Sequence, residues 1–74
     1  MNWDEFTQAR TAISEAIGKD LSLTEFEKLL GAGGNSAPNW KKRGFPAYIE
    51  YSINAHLLLP ANTLKEFAKN RGIT

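Results

Sequence analysis

Residues 21–44 read LSLTEFEKLLGAGGNSAPNWKKRG, from Leu21 to Gly44. Ser22 and Glu25 form an S-x-x-E capping box, and Leu21 before the cap can staple onto Phe26 beyond it. This marks the start of a helix that runs through Phe26, Leu29 and Leu30 to Gly31, a span of about 22–31. Gly31-Ala32-Gly33-Gly34 is too flexible for a helix interior and breaks the chain there. A second helix is predicted over about 35–43, ended by Gly44. Pro38 must lie in its first turn, where a missing N–H leaves nothing unpaired. That places the cap at Asn35 or Gly34. Two short helices joined by a glycine-containing turn make a helix-turn-helix unit.

Helical patterns surround this unit on both sides. From about Asn2 to Gly18, Trp3, Phe6, Ile13 and Ile17, with Ala9 and Ala16 beside them, recur at three- and four-residue steps. Asp4 and Glu5 sit in the first turn, where the helix dipole favours acids. Beyond Gly44, Pro46 suits the first position of a fourth helix that reaches about Leu58. Ile49, Ile53 and Leu57 form one apolar stripe on it, and Tyr48, Tyr51, Ala55 and Leu58 a second. Two stripes predict burial on more than one side. A fifth helix is expected between Pro60 and Arg71, with Leu64, Phe67 and Ala68 inward and Gly72 closing it. No stretch alternates strictly and β-branched residues are few, so no strand is expected. The prediction is one all-α domain over 1–74, a bundle of about five short helices.

The composition excludes several classes. The chain has 74 residues, 42% of them hydrophobic and 23% charged, which is an ordered small domain. It has no cysteine, so neither a disulfide nor a cysteine metal site can staple a thin core. The longest apolar run, Leu57–Ala61, is far short of the ~20 residues of a membrane span. No leader pattern opens the chain, so a cytoplasmic protein is expected. His56 is the only histidine, so no metal ligand set is expected and a structural role suits it better. Gly31–Gly34 lacks the preceding strand and following G-K-S/T of a phosphate loop. Glu25 and Glu27 point to different faces, and no Ser-His-Asp or Cys-His set exists. No enzyme, cofactor or small-molecule ligand is expected.

Charge is distributed unevenly. Residues 1–37 hold six acids and three bases, and residues 38–74 hold six bases and two acids. Three of the bases are consecutive, Lys41-Lys42-Arg43. An acidic half and a basic half suggest a polyanion partner, although helix ends complementing their dipoles would give the same count. At 100° per residue, Ala37 and Trp40 centre one face of the helix at 35–43. Asn35, Asn39 and Lys42 share the opposite face, flanked by Lys41 and Arg43. Amides and an amine between two cations meet the requirements of major-groove reading. Asparagine can pair with adenine and lysine with guanine, while the flanking cations meet phosphates. An ordinary solvated face is the bland alternative. Tyr48, one turn into the fourth helix, could reach a phosphate or simply edge the core.

Leu30-Gly31 through Asn39-Trp40-Lys41-Lys42-Arg43-Gly44 resembles the helix-turn-helix of small phage Cro-type and lambda-type repressors. The close resemblance covers Leu23–Gly44, and the Phe45-Pro46-Ala47 continuation and five-helix layout extend it. It implies double-stranded DNA as partner and base reading by Gly34, Asn35, Ser36 and Asn39, to which the outward face adds Lys42. It implies Trp40 in the core and Lys41 and Arg43 on the DNA backbone. Where that family keeps a small residue, this chain has Glu27. The expected function is transcriptional repression by occupying an operator. The alternative is a helical protein-interaction module, antitoxin-like or adaptor-like, without base-specific binding. One recognition helix reads too few base pairs to specify a genomic site, so a homodimer is expected. Leu57, Leu58, Leu59, Leu64, Phe67 and Ile73 are the expected dimer interface, the alternative being that the fifth helix folds back and buries them within one chain.

Overall fold

The computed structural model describes residues 1–74 and is all-helical, without strands. Five helices follow in order: α1 (Trp3–Ile17), α2 (Leu23–Leu29), α3 (Ala37–Arg43), α4 (Ala47–Leu57) and α5 (Ala61–Asn70). No helix is long and apolar enough to cross a membrane.

α1 is the central element, and α4 and α5 pack against it. Its start is fixed by a capping box that the acidic first turn only half announces. The Asn2 side chain accepts from the Glu5 backbone N–H at 2.8 Å, and Glu5 accepts from the Asn2 N–H at 2.9 Å. Gly18 ends it with φ +81°, a left-handed conformation that side chains other than glycine's resist. Ser14 and Arg10 then tie α1 to the connection that follows. Buried Ser14 Oγ accepts from the Leu21 N–H at 3.1 Å, and Arg10 donates to the Leu21 carbonyl.

That grip places Leu21 in the core directly before the Ser22–Glu25 capping box, in which each residue accepts from the other's backbone N–H. Leu21 and Phe26 are both fully buried, as their staple positions require. The core joins Phe6, Ile13, Leu21, Phe26, Leu29, Ile49 and Ile53 to Ala37 and Trp40 of α3 and Leu64 and Ala68 of α5. Phe6 is the aromatic hub. Its ring centroid lies 5.2 Å from that of Phe26 and 5.1 Å from that of Phe45, both pairs tilted, and 5.8 Å from that of Trp40, edge-on.

Several expectations need correction. α2 stops at Leu29, with Leu30 as its C-cap, rather than reaching Gly31. α3 starts at Ala37 rather than at 35, because Asn35 adopts φ +67°, outside the helical region. Ser36, not Asn35 or Gly34, is the cap residue. α4 is buried on one side only. Ile49, Ile53 and His56 face the core, while Leu57 and the whole second stripe, Tyr48, Tyr51, Ala55 and Leu58, face solvent. A 74-residue chain has too little core to cover both sides.

Candidate nucleic-acid interface

The candidate surface is α3 with the turn before it. Ala37 and Trp40 are buried, and their burial fixes how α3 is rotated. Pro38, Asn39, Lys41, Lys42 and Arg43 are consequently all exposed. Pro38 lies at the second helical position, where its ring costs no hydrogen bond. Gly34 and Asn35 are exposed in the turn, ahead of the helix rather than on it.

The start of α3 is held from below. Ser36 makes no side-chain cap bond. Its cap comes from Glu27 on α2, whose Oε2 accepts from the backbone N–H of Ser36 at 2.6 Å and of Ala37 at 3.2 Å. Glu27 is 2% exposed. A carboxylate in such a place must be hydrogen-bonded, and the unpaired N–H groups at a helix start are natural partners. In the sequence Glu27 stands where the resembled family keeps a small residue, and nothing there marks it as a cap. The available signal is a glutamate four residues before the glycine that opens the turn. The Ser36 hydroxyl completes the turn by donating to the Gly33 carbonyl at 2.6 Å. Asn35 in the left-handed region is what closes so tight a turn, and asparagine tolerates that conformation better than most side chains.

The electrostatics are one-sided. The structure has two ion pairs, Lys19–Glu25 and the Met1 amino group–Glu50. Neither involves α3, so Lys41, Lys42 and Arg43 face solvent within one helical turn with no acid paired to them. Their chemistry still differs. The Lys41 ammonium lies 5.0 Å over the Trp3 ring, a cation–π contact that holds it toward α1. Lys42 lies opposite the Ala37–Trp40 side, and Arg43 ends the helix beside it. The structure thus brings Asn39, Lys42 and Arg43 onto one exposed surface, with Gly34, Asn35 and the half-buried Ser36 at its leading end. Tyr48, on the first turn of α4, is exposed rather than part of the core edge.

The expected dimer residues divide. Leu64 and Ile73 are buried within this chain's own core, so neither is available to a partner. α5 folds back onto α1 and consumes them. Leu59 and Phe67 are half-buried, Phe67 packing edge-on against His56 at 5.9 Å with the Arg71 guanidinium 4.8 Å over its ring. Only Leu57 and Leu58 are exposed. His56 is buried and donates from Nδ1 to the Ser52 carbonyl at 2.6 Å, since a carbonyl can only accept.

Compared with protein-family models, curated proteins and solved structures, the chain matches none of them.

Proposed function

We propose that this protein is a sequence-specific double-stranded DNA-binding regulator that inserts α3 into the major groove, acting in the cytoplasm as a small repressor of the phage or plasmid kind. The observation that carries the reading is the outer surface of α3. Three cations without acid partners surround an exposed asparagine, and two buried residues on the opposite side orient the helix. Asn39 and Lys42, with Gly34, Asn35 and Ser36 leading, supply base-edge donors and acceptors. Lys41, Arg43 and Tyr48 supply phosphate contacts. Repression is steric on this reading: a bound operator excludes polymerase.

Fluorescence anisotropy on duplexes selected from a random pool tests it. The expected result is one enriched sequence, with affinity that falls steeply as salt rises. No enrichment and no salt dependence would leave the second reading, a helical protein-interaction module, which the uncharged outer side of α4 favours.

A further inference from the structure

Glu27 holds both ends of the turn that leads into α3. Its backbone carbonyl accepts from the Ala32 N–H at 2.9 Å, where the chain leaves α2. Its carboxylate accepts from the N–H groups of Ser36 and Ala37, where the chain enters α3. From Ala32 to Ala37 the one other hydrogen bond donated runs from the Ser36 hydroxyl to the Gly33 carbonyl. The segment inside this bracket has little else to restrain it. Gly33, Gly34 and Asn35 are exposed, and a Cβ added at either glycine would touch nothing within 4 Å.

We propose that Glu27 is the positioning residue of the base-reading surface. By bracketing the turn it presents Gly34, Asn35 and Ser36 to DNA in one conformation and in fixed register with Asn39. The role rests on the DNA-binding reading, which places base contacts in this turn. Telling one base edge from another needs donors and acceptors held to within about 0.5 Å. A loose turn could adapt to several bases and would have to be ordered on each, which weakens the right site most.

The two halves of the bracket differ in what they ask of position 27. The backbone half is open to any residue. The side-chain half needs an accepting oxygen at the end of a stem long enough to cross from α2 to α3. No cation pairs with the carboxylate, so the two N–H groups are what hold it in place. Methionine would fill a similar volume and accept nothing, and glutamine would keep an accepting oxygen without the charge.

Two measurements on the full chain test the role, and the first needs no DNA. Amide exchange followed by NMR should find the Ser36 and Ala37 N–H groups at least about tenfold more protected than those of Gly34 and Asn35, which have no partner. In Glu27→Met that protection should vanish, while the amides of Ile49 and Ile53 keep theirs. Ser36 and Ala37 amides as open as those of Gly34 in the parent overturn the bracket, without any variant having to fold.

The second measurement compares anisotropy on a duplex selected from a random pool with that on a scrambled duplex, far below every melting midpoint. Glu27→Met should cut the ratio of the two affinities at least about tenfold, and Glu27→Gln should restore most of it. Ile53→Val, a loss of core packing on α4, should lower the melting midpoint and leave the ratio alone, which separates lost positioning from lost stability. A Glu27→Met protein with the parent's ratio overturns the positioning role and leaves the DNA-binding reading standing. A parent that enriches no sequence overturns the DNA-binding reading, and the exchange rates then decide the bracket by themselves.

Discussion

Glu27 and Ser36 are joined by a 2.6 Å hydrogen bond that runs from the first residue of the α3 cap to a buried carboxylate on α2. The bond crosses the glycine turn, so the two helices of the unit are tied together by a charged group as well as by apolar packing. Removing the acceptor would strand the N–H groups of Ser36 and Ala37. Glu27→Ala is therefore expected to destabilise the protein by about 2–4 kcal/mol, whereas Glu27→Gln, which keeps an accepting oxygen, should cost less. Urea melts of the two variants measure this. Equal stability of Glu27→Ala and the parent would show that the bond contributes nothing.

Trp40 anchors α3 against Phe6 and Phe45. Trp40→Ala should cost about 3–5 kcal/mol, a large part of a small domain's stability. Loss of the cooperative thermal transition, or a strongly lowered midpoint, is the expected result. A parent-like melt would mean that this side of α3 is not held by the core.

Base reading should centre on Asn39. Asn39→Ala should weaken cognate binding by about 1–3 kcal/mol and relax preference at one base position. Asn35 lies in the turn, so Asn35→Ala should act at the neighbouring position of the site. Selection of preferred duplexes by each variant is the measurement, and preferences identical to the parent's would refute the assignment.

Lys42 is assigned to a base edge and Arg43 to phosphate, and the salt response tells these roles apart. Arg43→Met should weaken all DNA similarly and flatten the slope of log affinity against log salt by about one unit. Lys42→Met should act mainly on the cognate sequence. Lys41→Met should resemble Arg43→Met on DNA and also lose its contact with Trp3, worth about 0.5–1 kcal/mol of stability. Unchanged slopes would make Lys41 and Arg43 ordinary solvated ends.

A pH dependence follows from Glu25. The Lys19 ammonium, 2.6 Å away, and then the Ser22 backbone N–H hold its carboxyl below the ordinary value of 4.5. The folded state therefore binds this proton less readily than the unfolded state. The stabilisation is complete above pH 4.5 and is lost as pH falls through the lowered value. Glu25→Gln should melt at a temperature less sensitive to acid in that window. Parallel profiles of melting temperature against pH for variant and parent would contradict this.

Much of the fold was legible because it rests on local chemistry. The Ser22–Glu25 box, Gly18, Gly44 and Gly72 mark helix ends through interactions a few residues long. The apolar rhythm of Phe6, Ile13 and Ile17 and the pair Ala37 and Trp40 report their own burial. What sequence could not supply was long-range. The Glu27–Ser36 bond spans the turn, and its place in the core depends on how α2 and α3 approach. The start of α3 moved to Ala37 because Asn35 took a left-handed turn that its identity permits without requiring. Leu64 and Ile73 look like surplus apolar residues until α5 folds back to use them. Tyr48, Tyr51 and Leu58 look like core until α1 and α5 have filled it.

The contact between the Lys41 ammonium and the Trp3 ring has an optical consequence. Both tryptophans of the chain belong to the aromatic group around Phe6 and Phe45, Trp40 within α3 and Trp3 beneath its most α1-ward cation. An indole's emission responds to a charge held over its face. Any anion that draws Lys41 away from Trp3 therefore changes the colour of the protein's own fluorescence. The surface assigned to DNA is thus wired to a chromophore the sequence already contains, and its occupancy can be followed in the unlabelled protein.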